Sequence, residues 1–197
     1  MTTPWTLTVH DGDQDPQLLL ELIRPVYAEV YAEPPYCEGP DDVAEFAADW
    51  PRRVKAPGFR AVTATIDDRP VGMTFGHRLT AETGWWDGLL EPAPPEFTIE
   101  NGRRSYAIIE LAVLAGYRRQ GLSRALHTAL LADREEARVV LLARPEPEAA
   151  PARAAYASWG YQTIGHLRPW DTAPTYFALV RSLRDAEAVT SPEDALR

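Results

Sequence analysis

The chain has 197 residues, enough for one sizeable domain with a proper core, and 45% of them are hydrophobic and 25% charged. Lys and Arg number 20 against 29 Asp and Glu, a net charge of −9; general nucleic-acid binders need a basic face, so that partner class is set aside. The single cysteine, Cys37, excludes an intramolecular disulfide, and no apolar run approaches the ~18 residues of a membrane span.

The first residues lack a basic stretch followed by an apolar one, so the expectation is a cytoplasmic protein without a secretory leader. Trp5 to Val9 alternates as an opening strand. Asp15 and Pro16 then offer an N-cap and a first-turn proline. Leu18, Leu19, Leu22, Ile23, Val26, Tyr27, Val30 and Tyr31 follow at helical spacing, with Pro25 expected to kink or break the helix. A second helix is expected from Pro40 to about Trp50, stopped by Pro51. The loop between them carries Tyr36 and Cys37, and Cys37 reads as a loop or core residue rather than a nucleophile.

Phe59 to Ile66, the turn Asp67 to Pro70, and Val71 to His77 read as a strand pair. His10, His77, His127 and His166 form no metal-type or triad-type pattern, so no metal site is expected. Leu79 to Arg104 is a long irregular segment bearing Trp85, Trp86 and Asp87. Its tryptophans fit either a cap on the core or an aromatic lid over a substrate.

Tyr106 to Val113 is an apolar strand run, interrupted by one carboxylate, Glu110. A buried carboxylate is costly unless paired or useful, and burial favours its neutral form, which tunes it towards a base near neutral pH. The alternative is a sheet-face Glu pointing at solvent. A basic turn follows, Arg118, Arg119, Gln120 and Gly121, and then a helix with Leu122, Ala125, Leu126, Ala129 and Leu130 on one face. Strand, basic turn and helix aim unpaired N–H groups at an anion, and Gly121 lets backbone approach it, so this stretch reads as a phosphate or pyrophosphate cradle. Arg138 to Ala143 is a second buried strand; a Pro-rich loop, a short helix from Ala152 to Trp159 ended by Gly160, and closing strands Tyr161 to Leu167 and Thr175 to Ser182 complete a single domain over 1–185. Residues 186–197 form a polar tail.

Arg118 to Ser123 resembles the acyl-CoA signature of the GNAT superfamily of N-acetyltransferases, Arg/Gln-x-x-Gly-x-Gly/Ala, with Ser123 at the place where Gly or Ala is usual. Ala152, Tyr156, Gly160 and Tyr161 resemble the second pattern of that superfamily, whose usual Asn falls at Ala149. The resemblance implies an α/β fold of the α+β type, a mostly antiparallel sheet of six to seven strands flanked by helices. It implies acetyl-CoA as co-substrate, its pyrophosphate on Arg118, Arg119, Gln120, Gly121, Leu122, Ser123 and Arg124. Its pantetheine arm would lie between the Glu110 and Arg138 strands, on the backbone of Leu111, Ala112 and Val113, with the Val113 N–H on the thioester carbonyl. Glu110 would be the base and Tyr156 the acid, and Tyr31, Tyr36, Trp85, Trp86 and Asp87 would surround the acceptor. The activity implied is acetyl or related acyl transfer to a small-molecule amine, by a monomer or homodimer. The alternatives are a CoA-binding or protein-interaction domain that kept the fold without catalysis, and a peptide N-acetyltransferase.

Overall fold

The computed structural model describes residues 5–184. β1 (Thr6–Asp11), β2 (Arg60–Ile66), β3 (Arg69–Arg78) and β4 (Ser105–Val113) form an antiparallel run. β5 (Arg138–Ala143), β6 (Gln162–Leu167) and β7 (Tyr176–Ser182) continue it, in the order β1-β2-β3-β4-β5-β7-β6. This is the mixed, mostly antiparallel sheet the sequence led us to expect. The β2–β3 turn is set by Asp67 and Asp68, whose φ angles of 47° and 62° give the twist that tight hairpins require.

Among the described strands only β4 and β5 are parallel, and they share three rungs: Ser105 with Arg138, Tyr106 with Val139 and Ala107 with Val140. Beyond Ala107 the two strands part. β5 stays paired to β7 as far as Ala143, whereas β4 runs on to Val113 without a neighbour on that side. A wedge-shaped gap therefore opens inside the sheet.

α1 (Pro16–Tyr31) and α2 (Pro40–Val54) cover one face. Asp15 caps α1 by accepting from the Gln17 N–H at 2.9 Å. Both helices run through the prolines expected to interrupt them, Pro25 and Pro51. Both prolines are exposed, so the carbonyl each leaves unbonded can turn to water instead of being buried. Continuing α2 past Pro51 also buries Val54 and allows Arg53 to pair with Asp49 at 2.8 Å. Trp50 of α2 sits on Phe75 and Phe59 of the sheet, with ring centroids 5.2 and 5.8 Å away.

The segment between β3 and β4 is not a structureless loop. It contains a short helix, α3 (Pro95–Thr98), and a bridge between Leu89 and Leu167. It closes a second core cluster of Leu79, Trp86, Ala107, Val140, Leu167 and Ala178. The opposite face of the meander carries α4 (Leu122–Leu131), whose Leu122 and Leu126 pack over Gly72; Gly72 and Phe75 are an odd number of residues apart and point to opposite faces. α5 (Ala150–Ser158) lies beside α4, where His127 and Trp159 stack 4.5 Å apart. Gly160 ends that helical stretch with a φ of 89°.

Candidate active site

The gap between β4 and β5 is lined by backbone. The Leu114 N–H bonds to the Val71 carbonyl at 3.0 Å. Alternation along an antiparallel strand then aims the N–H and C=O groups of Leu111 and Val113 away from β3, into the gap. The Val113 carbonyl is taken by the Arg118 Nε at 2.9 Å, which leaves the Val113 N–H as the donor at that point of the wall.

β4 leaves through a turn of 3-10 helix, Ala115–Tyr117, into the basic loop. Arg119 and Gly121 have φ angles of 64° and 88°, and Gly121 is the N-cap of α4. No side chain caps α4, so the first-turn N–H groups of Leu122, Ser123 and Arg124 stay free for a ligand. A Cβ built on Gly121 meets nothing within 4 Å, so the space beyond it is open. Successive N–H groups around left-handed residues make an anion-binding concavity, and Arg119, Ser123 and Arg124 line it.

Three residues of this loop act differently from expectation. Arg118 lines the cleft, but its guanidinium is also engaged: it bonds the Val113 carbonyl and pairs with Glu33 at 2.7 Å, which fixes the turn against β4 and the end of α1. Gln120 folds back on the Gly116 carbonyl at 3.0 Å. Leu122 is 1% exposed in the core and can offer only its N–H.

The loop, the gap and α5 enclose a cleft of about 690 Å³. Tyr31, Tyr36, Leu111, Ala112, Val113, Ala149, Ala152, Ala155 and Tyr156 are among its walls. The small side chains of Ala149, Ala152 and Ala155 leave the channel wide, and Ala149 offers no side-chain hydrogen bond where the family pattern has Asn. A second hollow of about 450 Å³, near Asp11, Gly58 and Arg134, is a poor site: Arg78 and Arg134 are drawn to buried Glu136, at 2.6 and 3.7 Å.

Glu110 is presented by a bulge. Phe75 pairs with Glu110 and Gly76 with Ile108, so Ile109 is the extra residue. The Glu110 carboxylate meets the Tyr31 hydroxyl, which donates to it, and the Glu110 carbonyl accepts from the Thr74 hydroxyl at 2.7 Å. Desolvation raises the Glu110 pKa to about 7, against the opposing Tyr31 hydrogen bond and Arg53, and with help from the charge of Glu38. Burial pushes Tyr31, Tyr36 and Tyr156 upward, so their hydroxyls stay protonated. Tyr36 packs edge-on to Tyr31 at 4.6 Å.

Tyr31, Tyr36, Tyr156 and the backbone of Leu111 to Val113 line the cleft together, and Glu110 joins them through the Tyr31 hydroxyl. Trp85, Trp86 and Asp87 do not: none lines the cleft. Trp86 is 6% exposed, its indole N–H donates to Glu100 at 2.9 Å, and its ring faces the Arg138 guanidinium 5.2 Å away. The lid expectation is corrected to the core cap that the sequence also allowed, because a buried acceptor for the indole N–H lies in the segment itself.

Some residues in and around the cleft carried no signal in the sequence. Glu33 matters through Arg118, its ion-pair partner 85 positions away. Arg144 lies between the rings of Tyr36 and Tyr176, 5.7 and 5.6 Å from their centroids, and bonds Glu146 through two nitrogens at 3.0 and 2.7 Å. Only the Arg-x-Glu spacing in the Pro-rich loop hinted at that pair. Among the described residues, no group of three His, Cys, Asp or Glu could hold a metal ion, and no helix is long and apolar enough to cross a membrane.

A sequence model of the Acetyltransferase (GNAT) family matches residues 23–161, from inside α1 to the end of the α5 stretch. The chain belongs to the GNAT acetyltransferase family. Its fold is similar to that of the ribosomal-protein-S18-alanine N-acetyltransferase from Escherichia coli, at 17% identity and a TM-score of 0.59 over 92% of this chain and 96% of that one. It is also similar to aminoglycoside 6'-acetyltransferase type Ii, at 17% identity and a TM-score of 0.59 over 91% and 98% of the two chains. A third similar structure is the PaiA N-acetyltransferase from Thermoplasma acidophilum in complex with coenzyme A, at 9% identity and a TM-score of 0.54 over 90% and 99%. At these identities the likeness concerns the fold alone. Among curated proteins no sequence match was found. Within the GNAT acetyltransferase frame, the site fits a CoA thioester on three features: the open turn at Gly121, the unpaired backbone edge of β4, and the broad channel past Ala149.

Proposed function

We propose that this protein is an acetyl-CoA-dependent N-acetyltransferase of the cytoplasm, acting on the amine of a small molecule. The observation that carries the reading is Glu110: a carboxylate with its pKa raised to about 7, bonded to Tyr31 beside the unpaired edge of β4. Such a group is half ionised near neutral pH and so can take a proton from an ammonium.

The residues divide the work. The first-turn N–H groups of α4 with Arg119 and Arg124 bind the pyrophosphate, and the backbone of Leu111 holds the extended arm as a strand would be held. Bound acetyl-CoA supplies an activated acyl carbon. The Val113 N–H holds the carbonyl oxygen as negative charge develops there. Glu110 takes a proton from the ammonium, directly or through one water, and leaves a neutral amine. Nitrogen then bonds to the acyl carbon as the bond from carbon to sulfur breaks. Tyr156, kept protonated by burial, gives its proton to the departing sulfur and takes back the proton that the new amide nitrogen sheds. Tyr31 and Tyr36 form the aromatic side of the acceptor space.

A thiol-release assay with acetyl-CoA against aminoglycosides, polyamines, amino-acid derivatives and N-terminal peptides tests the reading. Turnover with a small amine supports it; turnover with peptides alone makes the protein a peptide N-acetyltransferase. CoA binding with no turnover on any class makes it a non-catalytic CoA-binding domain.

Two variants test the assignments. Gly121→Val is expected to weaken CoA binding about 100-fold or more in calorimetry, because a branched side chain resists the left-handed backbone and fills the open space; wild-type affinity would move the pyrophosphate elsewhere. Tyr156→Phe is expected to lower kcat about 10- to 100-fold with CoA affinity unchanged, since a hydrogen bond made in the transition state is lost. An unchanged kcat would leave Tyr156 as a packing residue.

A further inference from the structure

Behind the Tyr31–Glu110 hydrogen bond lies a second carboxylate that the reaction described so far does not use. Tyr27 and Tyr31 occupy successive turns of α1, and their rings stack with centroids 4.5 Å apart and planes 23° apart. Tyr31 donates to Glu110, and the hydroxyl of Tyr27 is beside the carboxylate of Glu38. The Glu38 backbone N–H bonds the Tyr31 carbonyl at 2.9 Å, so Glu38 is anchored on the residue that holds Glu110. Among the described residues, the Glu38 Oε2 is buried without a hydrogen-bond partner. A buried carboxylate oxygen with no donor costs free energy and calls for a reason.

We propose that Glu38 is a positioning residue of the acyl-transfer site: anchored on Tyr31 and held by Tyr27, its carboxylate sets a fixed negative charge behind Glu110 that keeps Glu110 avid for the proton of an incoming ammonium. The proposal rests on Glu110 being the base assigned above. The proton leaves the ammonium nitrogen and bonds to a Glu110 oxygen, which becomes neutral; Glu38 exchanges no proton in the step.

The other charged groups around Glu110 do not supply this effect. Arg53 of α2 acts in the opposite sense and is paired with Asp49. Arg144, at the end of β5, is bonded to Glu146. Tyr36, Tyr156 of α5 and Tyr176 of β7 are all shifted upward by burial and stay neutral near pH 7. Glu38 is itself raised, by burial first and by Asp42, while the Tyr27 hydrogen bond pulls it back down. Both carboxyls are thus raised by burial, and charge on Glu38 adds to the rise at Glu110. A nearby like charge disfavours the ionised form of its neighbour.

The test needs no acceptor. Carbon-13 NMR of the free protein, with carboxyl-labelled glutamate and the Glu110 signal identified by its absence in Glu110→Gln, reads the titration directly. In the wild type Glu110 is expected to titrate at about 7. In Glu38→Gln the midpoint should fall by about half a unit or more, and Glu38→Asp should hold it near the wild-type value. Tyr27→Phe gives a second reading if Glu38→Gln does not fold: without the hydroxyl, Glu38 holds its own proton longer and the Glu110 midpoint moves down as well. A Glu110 midpoint that is unchanged or higher in both variants overturns the proposal. A midpoint that moves as expected in a protein that acylates no amine of the panel upholds the electrostatic coupling and overturns the catalytic assignment instead.

Discussion

Glu110→Gln is expected to lower kcat by about 10²- to 10⁴-fold, the usual worth of a positioned general base. CoA affinity should stay at the wild-type level, because the substitution lies beyond the cradle. The pH profile carries the sharper signature. Wild-type activity should rise with pH through about 7, as Glu110 loses its proton, and this limb should vanish in the variant. Stability gives an independent check. The carboxyl of Glu110 is raised from an ordinary 4.5 to about 7, so the folded state keeps a proton that the unfolded chain has released. Its contribution is fully present below pH 4.5 and is lost as pH rises through 7. Glu110→Gln removes that loss and should gain up to about 3 kcal/mol on the wild type between pH 4.5 and pH 8, read from denaturant midpoints. A variant with wild-type kcat would reduce Glu110 to a sheet residue.

Trp86→Ala should be the most destabilising single change outside the main core. It removes a large buried ring, at a typical cost of 3–5 kcal/mol (roughly), from a domain whose whole stability is about 5–15 kcal/mol. It also deprives Glu100 of one of the three donors on its Oε1, the others being the Ser105 hydroxyl at 2.7 Å and Arg138 at 2.8 Å. A fall in melting temperature on the order of 10 °C is expected, with the KM of the acceptor unchanged in the fraction that stays folded. A raised acceptor KM with an unaltered melting temperature would return Trp86 to the lid over the substrate.

How much of this was legible in the sequence depended on the range over which each residue acts. The geometry around Gly121 was legible because strand, turn and helix are contiguous from Ser105 to Leu131, and a local pattern carries local geometry. The odd carboxylate in β4 was legible because a charge in an apolar run stands out. The reach of the side chains was not. The second role of Arg118 was hidden, since nothing near it in sequence reveals Glu33, its partner at the far end of α1. Trp86 read as a lid since Glu100, 14 positions on, meets it only through the fold of the insertion. Pro25 and Pro51 were read as helix breakers by a rule that assumes a buried helix interior; both lie on the exposed side, where the freed carbonyl can turn to solvent. Glu38 gave no signal, because its weight comes from standing behind a tyrosine of another element.

The three rungs between β4 and β5 make this sheet mechanically two leaves on a short hinge. One leaf is the four-stranded meander and the other is the trio of β5, β7 and β6. Their seam is held by Ser105, Tyr106 and Ala107 against Arg138, Val139 and Val140, and it is riveted from the side by the buried pair of Arg138 and Glu100. A force or a thermal fluctuation that parts the leaves works against this line, together with the bridge from Leu89 to Leu167. A molecule lying along Leu111 to Val113 is then a suture as much as a guest, for it spans the stretch where the protein supplies no stitches of its own.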